Sequence, residues 1–251
     1  MTGLRLVAAV WFAVVGAALG SFLTVVVTRL PEGRSVVHPP SHCPRCGTRL
    51  RAAELVPVLS YLLQRGRCRH CGEGIPPRYL LIELAAALGS GALAFLLLPS
   101  SRLFPALLLL LLGIAASAID VAHGIIPDRL LFVGALLAFG WRLFGGTLLP
   151  GVLGAALLTA IALVIALVGR GMFGLGDLKY LAVVGLALGP AEGGLAFFLA
   201  VMTGGIYAVA LLVLRRATRR DAIAFGPFIA LGSVAAAAVG PALLTAYTRF
   251  L

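Results

Sequence analysis

Residues 103–119 read LFPALLLLLLGIAASAI, and Asp120 follows them. An apolar run of this length predicts a helix that crosses a lipid bilayer, which needs about 17–25 such residues. The rest of the chain has the same character, because 61% of its 251 residues are hydrophobic and only 12% are charged. In soluble domains about 45–50% of the residues are hydrophobic and about 25% are charged. The composition therefore excludes a water-soluble protein and predicts an all-α polytopic membrane protein.

Seven further apolar runs flank this one. They cover residues 6–27, 79–98, 130–144, 149–168, 178–188, 194–214 and 222–247. Together the runs predict about eight transmembrane helices. The run after Asp177 is short, so it fits either a span or a half-buried helix. The first run is longer than the apolar core of a signal peptide. We interpret it as a retained span, with a cleaved signal peptide as the alternative.

The segment between the first two runs has a different composition. Residues 29–78 contain seven of the fourteen prolines, all four cysteines and three of the four histidines. This composition predicts one polar module outside the bilayer. We therefore divide the chain into a first transmembrane span at residues 1–28, the polar module at 29–78 and a multi-span region at 79–251.

The basic residues are distributed unevenly across the membrane when successive connections are assigned to alternate sides. Sixteen of the twenty fall on the side of the polar module, namely Arg29, Arg34, Arg45, Arg49, Arg51, Arg65, Arg67, Arg69, Arg78, Arg129, Arg170, Lys179, Arg215, Arg216, Arg219 and Arg220. The positive-inside rule then places the module in the cytoplasm and both chain ends outside. The net charge of +11 therefore indicates topology and contact with membrane lipid, and we expect no nucleic-acid partner.

The four cysteines form two C-x-x-C pairs, Cys43 with Cys46 and Cys68 with Cys71, separated by 21 residues. This spacing is typical of a structural zinc site with four thiolate ligands. A module with so few apolar residues needs the free energy of metal binding in order to fold. Two disulfides are the alternative, and a reducing cytoplasm disfavours them. The adjacent His42 and His70 are either solvated neighbours or replacements for one ligand.

Two aspartates adjoin the apolar runs on the side of the module. Asp120 ends one run and Asp177 begins another, after Gly174 and Gly176. A carboxylate at bilayer depth is costly and marks a functional site, although each could instead cap a helix. Two carboxyl groups that meet cannot both ionise easily. One then holds a proton while the other activates water for attack on a peptide carbonyl.

Two neighbouring residues compete for a role in this site. Asp128 is a rival for Asp120, but it follows Pro127 and precedes Arg129, a pattern that predicts a helix start with a nearby counter-charge. His123 is available for proton transfer, and its position equally fits an ordinary loop histidine. We therefore keep Asp120 and Asp177 as the candidate pair.

Several motifs occur in the order typical of one family. They are GSFLTVVVTRLP at residues 20–31, the two C-x-x-C pairs, PRYLLIE at 77–83, Asp120 with IPD at 126–128, GLGDLK at 174–179 and FGPF at 225–228. In this order they resemble the motifs of bacterial type IV prepilin peptidases, and the resemblance spans nearly the whole chain.

The resemblance implies a multi-pass inner-membrane aspartic peptidase of the GxGD type, with Asp120 and Asp177 as the catalytic pair. Such enzymes cleave the basic leader of prepilins and pseudopilins after a glycine at the cytoplasmic face. Bifunctional members then methylate the new N-terminal residue with S-adenosylmethionine. Glu83 is a candidate for the methyl-transfer site, and it is equally well explained as a helix-start acid.

Two functions of other classes fit part of the sequence. A proton-coupled transporter or channel would use the two aspartates as a relay, but the paired inverted halves common in such proteins are missing. A zinc-stabilised scaffold explains the cysteines and leaves the aspartates unexplained. The sequence therefore favours proteolysis.

Overall fold

The computed structural model describes residues 2–168, 174–216, 218 and 223–249. The helices in these ranges are α1 (Thr2–Arg29), α2 (Leu59–Leu63), α3 (Pro77–Leu97), α4 (Leu103–His123), α5 (Asp128–Phe144), α6 (Leu148–Val168), α7 (Leu175–Leu188), α8 (Pro190–Val213) and α9 (Gly226–Thr248). Outside the described residues lie Arg170, Arg219 and Arg220 of the topology prediction, together with the start of the last predicted run at Ala222.

The predicted all-helical fold is confirmed for the described residues, where the extended structure is limited to two isolated β-bridges. Each of the eight apolar runs corresponds to one helix, α1 or α3–α9. Six of these, α1, α3, α4, α6, α8 and α9, are long and apolar enough to cross a membrane. The helices α5 and α7 have 17 and 14 residues and fall short of that length. The structure therefore gives six candidate spans, and the prediction of about eight is not confirmed.

The chain forms two compact units, Met1–Pro99 and Ser100–Leu251. In the first unit α1 packs along α3, and the polar module lies between them in sequence. Small residues allow this contact, since a Cβ atom at Gly16 would lie 2.5 Å from the carbonyl oxygen of Ala86. Such close approach replaces the hydrophobic driving force that lipid cannot supply between helices.

In the second unit the short helix α7 lies among its neighbours, in contact with α4, α5, α6, α8 and α9. Half of its residues are buried, among them Tyr180 and Val184. Its closest approach is to α6, where a Cβ atom on either Gly154 or Gly185 would collide with the backbone of the other. The glycines therefore bring these two helices into backbone contact.

The end of α7 has a specific hydrogen-bond donor. The last carbonyl groups of a helix lack intrahelical partners, and apolar surroundings offer no water to replace them. Arg142, in the last turn of α5, donates from Nε to the carbonyl oxygen of Leu186 at 3.1 Å and from Nη2 to that of Ala187 at 2.9 Å. This arginine allows α7 to end within the bundle.

We predict that Arg142→Met lowers the thermal unfolding midpoint of the purified protein in detergent by several degrees. Methionine keeps the aliphatic stem and leaves two helix-end carbonyl groups without donors, each of which costs about 1–3 kcal/mol. The matched control is Arg129→Met, at an exposed position near the other end of α5. Equal midpoints for the two variants would contradict the assigned role of Arg142.

Candidate functional site

The second unit contains a pocket of about 300 Å³ that both predicted aspartates line. Asp120 comes from the last turn of α4 and Asp177 from the first turn of α7. The two carboxyl groups are close enough to interact electrostatically, and only 8% of the Asp120 surface is exposed. The structure therefore brings together two acids that are 57 positions apart in the sequence. The remaining lining residues are Gly124, Ile125, Ile126, Asp128, Gly174, Leu175, Gly176 and Lys179.

The orientation of Asp120 depends on the start of α9. The backbone N–H of Gly226 donates a hydrogen bond to Oδ2 of Asp120 at 2.8 Å. A Cβ atom at position 226 would lie 2.8 Å from the same oxygen, so glycine is the residue that permits this contact. Because an N–H can only donate, Oδ2 of Asp120 is the acceptor in this hydrogen bond. In the sequence, Gly226 was noted only as part of the FGPF motif that resembles the family. The contact between Gly226 and Asp120 was not predicted.

The glycines before Asp177 provide space. Gly174 has φ −70°, which any residue adopts, so conformational freedom is not the reason for glycine there. A Cβ atom at Gly174 would lie 3.0 Å from Oδ2 of Asp177, and one at Gly176 would lie 3.2 Å from Cβ of Ile126. Close approach of neighbouring atoms therefore explains both glycines.

Asp128 is held by an ion pair at the pocket. It begins α5, as its position after Pro127 predicts, and Lys179 Nζ lies 2.7 and 2.8 Å from its two carboxylate oxygens. The counter-charge is therefore Lys179 of α7, whereas the sequence had suggested Arg129. His123 is the exposed last residue of α4 and does not line this pocket.

The four cysteines of the polar module converge. Their Sγ atoms all lie within 4.8 Å of one another, and Cys43 Sγ lies 3.8 Å from Cys71 Sγ. A tetrahedral zinc ion with Zn–S bonds of about 2.3 Å requires sulfur atoms about 3.8 Å apart, so the cluster fits such a metal. Each pair closes with a glycine of positive φ, Gly47 at +69° and Gly72 at +73°. The cluster can therefore hold a metal ion.

The side chains around the cluster are polar and partnered. Hydrogen bonding between Cys46 and Thr48 lowers the pKa of the Cys46 thiol to about 6, which favours the thiolate that binds metal. His70 Nε2 lies 3.5 Å from Oε1 of Glu54, and His42 Nδ1 lies 3.0 Å from the carbonyl oxygen of Pro40. A hydrogen bond from the backbone of Arg51 lowers the pKa of Glu54. The two histidines thus have partners outside the thiolate cluster.

Glu83 is buried in the second turn of α3 and accepts a hydrogen bond of 2.7 Å from the backbone N–H of Val58. Val58 has φ +63° and ψ −53°, a conformation that is strained for a β-branched residue. Glu83 therefore stabilises a tight turn of the module against α3. The sequence had presented this residue as a methyl-transfer candidate or a helix-start acid, and the turn contact was missed.

Comparison with known proteins gives consistent matches along the chain. Residues 14–97 match the family model described as Bacterial Peptidase A24 N-terminal domain, and residues 106–209 match the Type IV leader peptidase family. A protein of Bacillus subtilis (strain 168) named prepilin leader peptidase/N-methyltransferase is 35% identical, over 93% of this chain and 95% of that protein. No solved structure matches.

Two proteobacterial proteins carry the same name. The Burkholderia pseudomallei (strain 1026b) protein is 37% identical, over 93% of this chain and 85% of its own length. The Pseudomonas aeruginosa protein is 35% identical, over 94% of this chain and 91% of its own length. With the six apolar helices, these matches indicate a multi-pass inner-membrane protein.

We predict that the purified protein contains one tightly bound metal ion per chain and that Cys43→Ser with Cys68→Ser removes it, because these substitutions take one thiolate from each pair. Elemental analysis by mass spectrometry measures the metal content. The matched control is His42→Ala, which alters a neighbour of Cys43 and leaves the four thiolates intact. Metal-free wild-type protein with four reactive thiols would contradict the prediction.

Proposed function

Because this chain belongs to the type IV leader peptidase family, we propose that it is a membrane aspartic endopeptidase that cleaves the basic leader of type IV prepilins and pseudopilins after a glycine. The observation that supports this most directly is the pocket lined by both Asp120 and Asp177. The comparisons give no support to the alternative of a proton-coupled transporter.

The proposed reaction uses the two carboxyl groups in opposite protonation states. The ionised group takes a proton from water, and the hydroxide oxygen bonds to the carbonyl carbon of the scissile peptide. The protonated group gives its proton to the carbonyl oxygen. When the intermediate collapses, the C–N bond breaks and the leaving amine takes the proton that the first group had removed from water. The second group takes back the proton from the former carbonyl oxygen, which restores both groups to their starting states.

The charges at the pocket favour a basic substrate segment. Three carboxyl groups and one ammonium group line it, from Asp120, Asp128, Asp177 and Lys179. A peptide with a basic leader and an apolar helix would place its positive charges near these acids and its helix in the bilayer. The arginine-rich module would repel such a leader, so we assign its charge to topology and lipid.

We also propose the topology that the basic residues predict. The polar module and the pocket face the cytoplasm, and α5 and α7 complete eight crossings as short helices inside the bundle. The two hydrogen bonds that Arg142 donates to the end of α7 support this arrangement, because they stabilise the end of a helix of only 14 residues. The three-part division into residues 1–28, 29–78 and 79–251 remains a prediction.

Zinc and S-adenosylmethionine are the proposed cofactors. Zinc would be held by Cys43, Cys46, Cys68 and Cys71, where it stabilises the fold of a module with little apolar core. S-adenosylmethionine would supply the methyl group for the new N-terminal residue of the substrate. The names of the relatives, which join leader peptidase and N-methyltransferase, support this second activity.

We predict that Asp120→Asn and Asp177→Asn each abolish cleavage of a model prepilin by purified enzyme, because an amide can neither accept the proton of water nor donate one to the carbonyl oxygen. Mass spectrometry identifies the products. With S-adenosylmethionine present, the wild-type product gains one methyl group.

The matched control for these variants is Asp128→Asn, which changes a third carboxylate at the same pocket. It is expected to retain cleavage, since its carboxylate is engaged by Lys179. Normal processing by both the Asp120 and the Asp177 variants would refute the peptidase proposal. Cleavage without a mass increase would refute the methylation proposal alone.

We predict that Gly226→Ala reduces kcat by about 100-fold, as displacing a catalytic group by about 1 Å does. The added Cβ atom would lie 2.8 Å from Oδ2 of Asp120 and force the carboxylate to move. The matched control is Gly205→Ala, because a Cβ atom there meets nothing within 4 Å. Equal rates for the two variants, both folded in detergent, would contradict the assigned role of Gly226.

A further inference from the structure

The polar module exposes a cluster of apolar side chains, which we call the α2 stripe. Its members are Leu55, Val56, Leu59, Leu62 and Leu63. Leu59, Leu62 and Leu63 share one face of α2, since residues three and four apart on a helix are neighbours. Leu62 is 57% exposed and Leu63 is 74% exposed. A contiguous apolar surface of this kind in a polar segment marks an interaction site.

The stripe faces away from the module. On α2 it is Tyr61 that contacts the rest of the module, where its hydroxyl group donates a hydrogen bond of 3.3 Å to the carbonyl oxygen of Ile75. A Cβ atom at Gly66 would lie 2.9 Å from the same hydroxyl oxygen. The helix is therefore fixed by its polar contacts, and its leucines are left outward.

A hydrogen bond sets the level of the stripe relative to the membrane. Val58, directly before α2, donates its backbone N–H to Glu83 of α3. Glu83 follows Pro77 by six residues, which is about 9 Å along a helix axis. Leu81 precedes Glu83 on α3 and is 64% exposed. Helix α3 is one of the candidate membrane spans. The segment that carries the stripe is thus held, through Val58, at the level of the second turn of this candidate span.

Exposed basic residues lie close to the stripe in sequence. Residues 29–78 contain nine arginines against three glutamates. Four exposed members of this set, Arg51, Arg65, Arg67 and Arg69, lie within a few residues of the stripe in sequence. Leucines on one face with arginines beside them are typical of a segment that lies in the plane of a membrane interface. Anionic lipid headgroups complement this charge.

From these observations we propose that the α2 stripe is an interfacial anchor. Its leucines insert among the acyl chains next to the headgroups, and the neighbouring arginines pair with anionic lipid. The anchor fixes one face of the polar module against the bilayer. It is independent of the proposed peptidase chemistry, because it depends on the contacts of the first unit alone and its test measures lipid contact.

The test uses the full-length protein with Trp11→Phe and Trp141→Phe, which removes both native tryptophans, and Leu62→Trp as the single fluorophore. The protein is reconstituted in vesicles of phosphatidylglycerol and brominated phosphatidylcholine. We expect blue-shifted emission and quenching that is about twofold stronger with bromines near the headgroup than near the chain end, since interfacial helices insert by about 5–10 Å. Leu63→Trp is a second reporter on the same face, in case the first variant does not fold.

The matched control is Val37→Trp, at a position of the same module that is 74% exposed and outside the stripe. We expect emission typical of water and little quenching there. Blue-shifted emission at position 62 without quenching would assign the stripe to a protein contact, either within the chain or with a second copy. That result, or equal quenching at positions 37 and 62, would overturn the proposal.

Discussion

Polar groups at the level of the bilayer are stabilised by partners within the protein, because lipid offers neither donors nor acceptors. Helix α7 is where this constraint acts most strongly. At its C-terminal end Arg142 supplies donors to two carbonyl groups, and near its N-terminal end Lys179 pairs with Asp128 of α5. A helix of 14 residues is stable in this position because both ends are tied to α5.

Close helix packing brings the two carboxyl groups to one pocket. Gly154 and Gly185 place α6 against α7, and Gly176 allows the start of α7 to approach Ile126. A side chain at any of these positions would clash with the facing residue and force a shift of α7. The chain has 31 glycines among 251 residues, and membrane helices in general favour small residues. These three glycines have a further role, because they allow α7 to pack closely against its neighbours.

The features that could be predicted from the sequence are those with a local pattern. Apolar runs predicted the positions of the helices, and C-x-x-C spacing predicted that Cys43 and Cys71 would meet. The features that could not be predicted depend on contacts between distant residues, such as Gly226 with Asp120 across 106 positions. The number of spans belongs to the same class. The run at residues 178–188 did indicate that α7 is short. It could not reveal that Arg142 of α5 donates to the end of that helix.

The two units coincide with the two family matches, since the structure divides at Pro99 and the matches cover residues 14–97 and 106–209. All pocket residues belong to the second unit and all four cysteines to the first. The hydrogen bonds that orient Asp120 and engage Asp128 also lie within the second unit. The geometry of the carboxyl pair is therefore built without the metal cluster. A metal ion held by the four cysteines would stabilise the polar module, which contributes no residue to the pocket.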